Sequence, residues 1–163
     1  MRTVRNTRRG FTLIEILIVV IILGILAAIV IPQFSSASND ARLSSLQSTV
    51  QTLRSQVALY RLQHNDHLPG AGSSTTFGSA TFWNDMTTQT DATGAAYAAG
   101  AATGPFGPYM QDVPKNALNT STVVINTTTT PGGTVAACGY VYDYTGGTGK
   151  VWGTDVTSTK VIQ

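Results

Sequence analysis

The chain has 163 residues, room for one modest domain beside any long apolar segment, and only 11% of them are charged. The formal net charge of +2 is uneven: Arg2, Arg5, Arg8 and Arg9 precede Phe11, and from Phe11 onward six basic residues face eight acidic ones, formally −2. That balance leaves no basic surface suited to nucleic acid, and the single cysteine, Cys138, excludes an intrachain disulfide.

Met1 to Gly10 is polar and cationic without an acidic residue, and the run from Phe11 to Ile31 is apolar with Glu15 as its one ionisable side chain. At about 1.5 Å per residue this run is roughly 30 Å long, the thickness of a bilayer's hydrocarbon core. Positive charge before a span favours the cytoplasmic side, so the expected orientation is N-terminus in and C-terminus out. Cleavage as a secretory signal is not expected. Such signals have an apolar core of about 7 to 15 residues followed by small ones, whereas Ala27-Ala28 here leads into Ile29, Val30 and Ile31.

Arg8-Arg9-Gly10, Phe11-Thr12-Leu13-Ile14-Glu15, Gly24 and Ile31-Pro32-Gln33-Phe34 together resemble the N-terminal segment of the type IV pilin and pseudopilin superfamily. The resemblance implies a leader peptide, residues 1–10, removed by a membrane-embedded prepilin peptidase that cuts between Gly10 and Phe11 and methylates the new N-terminus of Phe11. It further implies helix-to-helix polymerisation of many copies in the inner membrane, with minor pseudopilins and an inner-membrane assembly platform as partners.

Glu15 stands out on physical grounds as well. A charged side chain at a helix centre in a bilayer costs about 2.5 to 3.5 kcal/mol on insertion scales, so a carboxylate one turn into the span calls for a partner. After cleavage the candidate is the α-amino group of Phe11. One helical turn separates the two within a chain, and a neighbouring subunit's amine is the alternative. The family resemblance implies the second arrangement, with Glu15 setting assembly register.

Gly24 and Pro32 interrupt the span. Pro32 cannot donate to the carbonyl of Ala28 and crowds that turn, so a kink or weakened stretch is expected. Beyond it the helix is predicted to continue as an amphipathic stem, because Leu43, Leu46, Val50, Leu53, Val57 and Tyr60 recur at spacings of three and four. Ser45, Gln47, Ser48, Gln51, Arg54 and Arg61 take the opposite face. The helix is expected to run from Phe11 to about Gln63 and to stop at His64-Asn65-Asp66-His67 and Leu68-Pro69-Gly70. His64 and His67, three apart, lack a clustered third ligand and read as solvated polar residues.

Phe82, Trp83 and Met86 predict a short helix over about 80–89, docked on the stem, and the Ala-Gly tract from Thr93 to Gly104 reads as a surface loop. Turn residues follow in Gly104-Pro105-Phe106-Gly107-Pro108-Tyr109 and Val113-Pro114-Lys115-Asn116. Strands are predicted at 122–126, 135–144 and 149–154, with Tyr140, Tyr142 and Tyr144 on one face and Val141 and Asp143 on the other. Thr145-Gly146-Gly147-Thr148 closes a hairpin.

Gly107-Pro108-Tyr109-Met110, Val113-Pro114-Lys115-Asn116-Ala117-Leu118-Asn119 and Gly139-Tyr140-Val141-Tyr142-Asp143 look like the C-terminal part of G-type major pseudopilins of type II secretion systems. Asn116-Ala117 stands where that family's acidic-proline pair would be. Many of those proteins bind calcium, which needs six to eight oxygen ligands. The late acids Asp112, Asp143 and Asp155 form no cluster, so calcium is not expected; Asp143 and Asp155 are the nearest the sequence comes to ligands. Cys138, with no His or Cys nearby in sequence, reads as a small buried thiol.

No catalytic motif is visible, and an enzyme is not expected. The expected fold is α+β, a long N-terminal helix packed on a small C-terminal antiparallel sheet. The expected division is leader 1–10, membrane and filament-core helix 11–31, amphipathic stem 32–67, and periplasmic globular region 68–163. The function implied by the resemblance is that of a structural subunit of a periplasmic pseudopilus. The alternative is a type IV pilin of a surface pilus serving adhesion, twitching motility or DNA uptake. Many such pilins close a C-terminal loop with a cysteine pair, which this chain lacks.

Overall fold

The computed structural model describes residues 10–71, 76–95, 106–128, 132–155, 157 and 160–162. Most of the expected surface loop between Thr93 and Gly104, and the four arginines of the expected leader, lie outside these residues. The chain forms two compact units, Met1–Asp40 and Ala41–Gln163.

Helix α1, Leu13–Gln63, contributes to both. Its exposed hydroxyls do not compete with the helix. Ser36, Thr49, Thr52 and Ser55 each donate to the carbonyl one turn back, at 3.0–3.1 Å. The helix ends where predicted. Asn65 and Asp66 take left-handed φ values of 56° and 68°, which Asn and Asp tolerate, and the Asp66 N–H returns to the Arg61 carbonyl at 3.0 Å.

In the second unit, Leu46, Val50, Leu53, Val57 and Tyr60 of α1 are buried, as their spacing predicts, whereas Leu43 stays 37% exposed. Against this stripe pack Phe82, Trp83 and Met86 of helix α2, Ser79–Thr87, together with Val124, Tyr140, Tyr142 and Val151. Burying the side chains of this stripe supplies about 1.5–3 kcal/mol each, which anchors the sheet to the stem. Trp83 Nε1 donates to the Thr122 carbonyl at 2.6 Å, tying α2 to the strand that follows.

The four strands are β1, Val124–Asn126; β2, Tyr140–Tyr142; β3, Val151–Thr154; and β4, Val161–Ile162, in spatial order β1-β2-β3-β4. The β2-β3 hairpin and the β3-β4 pair are antiparallel, but β1 pairs with β2 in parallel, so the sheet is mixed rather than wholly antiparallel. The reason lies in the segment between them. After β1 the chain reaches the far edge, where Gly132 and Thr134 pair with the β4 segment, and only then returns to enter β2 from the same end as β1. This detour also shortens the expected strand over 135–144 to three residues. It places Cys138 and Val135 with Ile125, Val141, Trp152 and Val161 in a second apolar cluster. Both faces of β2 are thereby buried.

The connection before β1 is pinned by two amides. Asn116 Nδ2 donates to the carbonyls of Gly139 at 2.7 Å and Thr154 at 3.0 Å, while its Oδ1 accepts from Leu118 N–H at 2.8 Å. Asn119 Nδ2 reaches the Asp155 carbonyl and Thr154 Oγ1, both at 2.9 Å.

Candidate functional site

Thr12 precedes the first helical residue, Leu13, and so caps α1. Its backbone N–H and its hydroxyl both reach Glu15 Oε2 at 3.2 Å, while the Glu15 N–H donates to Thr12 Oγ1 at 3.3 Å. This reciprocal pairing is a capping box, which satisfies donors the helix start would otherwise leave open. The Glu15 carboxylate is thus held by its own chain, at the end of α1 where the helix dipole favours negative charge. The Phe11 nitrogen is in a peptide bond with Gly10, so Thr12 supplies the donors that a free amine at Phe11 would offer. Sequence reasoning singled out Glu15 but missed Thr12 as its partner; the signal was Thr12-x-x-Glu15, the capping-box spacing.

From Leu13 to Ile31 the large apolar side chains of α1 are 41–84% exposed. The helix is long and apolar enough to cross a membrane. Among the described residues, Gly10 and Gly24 have open space where a Cβ would lie, so packing against those residues explains neither glycine. The helix continues through Gly24 and Pro32.

The other residues singled out in the sequence are scattered. His64 is fully buried, contrary to its reading as a solvated residue. Its ring stacks on Tyr60 at 3.8 Å and 9°, and its two nitrogens meet the Tyr60 carbonyl and Thr90 Oγ1, both at 2.8 Å. The Thr90↔Phe106 bridge, from the loop after α2, brings the covering groups that local spacing could not reveal. His67 is exposed, and its Nδ1 lies 2.8 Å from the His64 carbonyl.

Asp143 and Asp155 are not brought together. The register pairs Tyr142 with Val151 and Tyr140 with Gly153, so Asp143 follows β2 at the hairpin's closed end and Asp155 follows β3 at its open end. Each carboxylate organises its own loop. Asp143 accepts from Gly146 N–H at 2.8 Å and Thr148 Oγ1 at 2.5 Å, and Asp155 accepts from Thr157 Oγ1 at 2.8 Å and Lys160 N–H at 3.1 Å. Among the described residues no three His, Cys, Asp or Glu side chains gather as a metal site. Cys138 is buried, as its setting predicts, and burial pushes its thiol up to about 11.

A capped apolar helix exposed along its N-terminal half, followed by an amphipathic stem carrying a small mixed sheet, is the architecture of a type IV pilin-like chain. The chain is type IV pilin-like and similar to G-type pseudopilins. The family described as the prokaryotic N-terminal methylation motif matches residues 5–31. The chain is 40% identical over 60 residues to the type II secretion system core protein G of Pseudomonas aeruginosa, covering 37% of this chain and 42% of that protein. It is 36% identical over 64 residues to the core protein G of Escherichia coli, covering 39% and 43%. It is also 40% identical over 55 residues to the type IV narrow pilus major component PilA5 of Thermus thermophilus, covering 34% and 47%. The chain spans less than half the length of each of these relatives. No solved structure matches it.

Proposed function

We propose that this chain is the structural subunit of a periplasmic pseudopilus serving type II protein secretion. In this reading a prepilin peptidase cuts between Gly10 and Phe11, and Phe11 is N-methylated. The chain waits in the inner membrane with its globular part in the periplasm, then polymerises with copies of itself through α1. Minor pseudopilins and an inner-membrane platform are the further partners.

The observation that carries the reading is the N-terminal methylation motif over residues 5–31, which runs into a helix whose apolar side chains from Leu13 to Ile31 stand exposed among the described residues. Such a surface is stable against lipid, and equally against the same surface of other copies, because both remove it from water. Glu15 supplies the register. In the isolated chain its charge is held by Thr12; in a polymer, a neighbour's freed Phe11 amine offers a charge-assisted bond, stronger than the neutral donors it displaces. Pro32, which lacks the N–H that would meet the Ala28 carbonyl, weakens α1 locally and lets it yield during packing. The similarity to PilA5 supports a second reading, a type IV pilin of a surface pilus, built by the same processing and polymerisation.

The test combines mass and assembly. The assembled protein is expected to begin at methylated Phe11, and Glu15→Val is expected to insert normally but to yield little polymer. Retention of Met1 in the polymer, or undiminished polymer from Glu15→Val, overturns the proposal. Deleting the gene separates the two readings: lost secretion of periplasmic enzymes supports the pseudopilus, and lost surface fibres support the pilus.

A further inference from the structure

In the second unit a groove of about 190 Å³ lies between α1 and the β2-β3 hairpin loop. Arg54, Val57 and Arg61 line it from one face of the helix, since they stand three, four and seven residues apart. Lys150 lines it from the hairpin. The loop lies close to the stem because Gly149, at φ +66°, has no Cβ; one would sit 2.8 Å from Leu68 Cδ2 and 3.3 Å from Val57 Cγ1. Arg54 is anchored, its Nε donating to the Val151 carbonyl at 2.8 Å, which leaves the two terminal amino groups of its guanidinium for another acceptor. Arg61 meets Asp66 at 2.8 Å in a pair exposed on both sides, an interaction of little strength that a competing carboxylate can displace.

The groove therefore holds three of the six cations found from Phe11 onward and is lined by no acid. Asp143, in the same hairpin, directs both carboxylate oxygens to its own loop. Of the eight carboxylates beyond Phe11, Asp85 and Asp143 are buried and Asp66 meets Arg61; the other five stand against three cations outside the groove, Arg42, Lys115 and Lys160. Charge so divided on one molecule favours contact between the basic groove of one copy and an acidic side chain of the next.

We propose that the Arg54-Arg61-Lys150 groove receives a carboxylate of a second copy of this chain, fixing how neighbouring globular units dock. This rests on the polymerisation reading above and adds to it a contact outside the apolar helix.

The test uses full-length protein assembled from a mixture of copies carrying light and heavy nitrogen. A water-soluble carbodiimide joins an amine and a carboxylate in contact as an amide, the carbodiimide taking up the water released. The expected product joins Lys150 of one isotope to an Asp or Glu of the other, with Lys115 and Lys160 as internal references. Lys150→Glu is expected to lower polymer yield about tenfold or more by setting like charges together. Lys150→Arg, which keeps the charge, is expected to leave the yield unchanged. Polymer without a mixed-isotope product at Lys150, or with Lys150→Glu as productive as wild type, overturns the groove contact and leaves polymerisation standing. Absence of any polymer from the wild-type chain overturns both.

Discussion

Replacing Asn116 tests whether the sheet is held in place by a side-chain amide rather than by strand pairing alone. The residue is fully buried. Its Nδ2 bridges the carbonyls of Gly139 and Thr154 across the β2-β3 pair, and its Oδ1 caps the Leu118 N–H. In Asn116→Ala the Gly139 carbonyl keeps the Thr154 N–H at 3.2 Å and the Thr154 hydroxyl at 3.1 Å. The Thr154 carbonyl and the Leu118 N–H lose their Asn116 partner. At about 1–3 kcal/mol for each group left unsatisfied, the expected loss for the two is about 2–6 kcal/mol. That is a large share of a domain stability of about 5–15 kcal/mol. Asn116→Asp is expected to be worse than alanine, because an oxygen then replaces the donor between two carbonyl oxygens. The assay is urea unfolding of the full chain in detergent, followed by fluorescence of Trp83 and Trp152, both of which pack in the second unit. A shifted midpoint at constant slope is the expected form. A loss below about 1 kcal/mol for alanine, or an aspartate variant no worse than alanine, refutes the reasoning.

Two further outcomes concern the same unit. Gly147 and Gly149 both have positive φ, 69° and 66°, but a Cβ at Gly147 meets nothing within 4 Å whereas one at Gly149 meets Leu68. Gly147→Ala is expected to cost about 1–2 kcal/mol for backbone conformation alone, and Gly149→Ala measurably more; equal losses in the same urea assay contradict the close approach of hairpin and stem. At high pH, burial holds the Cys138 thiol up to about 11 and the Tyr140 phenol up to about 12, and raises Tyr60 and Tyr142 as well. These groups keep their protons in the folded chain at pH values where the unfolded chain releases them. Their stability contribution is full below about pH 9 and is lost as pH rises through about 11 to 12. The urea midpoint is expected to fall over that range, with phenolate absorbance from the buried tyrosines appearing together with unfolding. Ionisation of all six tyrosines before any loss of structure is the contrary result.

Much of this protein was legible in its sequence because the signals are local. The apolar run, the three-and-four spacing from Leu46 to Tyr60, the stop at Asn65-Asp66, the Phe82-Trp83-Met86 helix and the β2-β3 hairpin each depend on side chains within a turn or two. The capping box is equally local, written as Thr12-x-x-Glu15.

What the sequence could not determine depends on groups far apart along the chain. His64 lies at a helix end, where exposure is the natural expectation; Thr90 and Phe106 bury it. Val124–Asn126 has no local mark of its strand direction, which the detour through Thr134 and Lys160 decides. Asn116 occupies turn-like sequence, yet its amide spans two strands 23 and 38 residues away. Arg54 reads as a solvated charge on the polar helix face, and only tertiary contact with Val151, 97 residues later, makes it a wall of a basic groove. Periodicity specifies which face of an element is apolar. Which distant backbone or charge meets that element is settled only when the chain closes on itself.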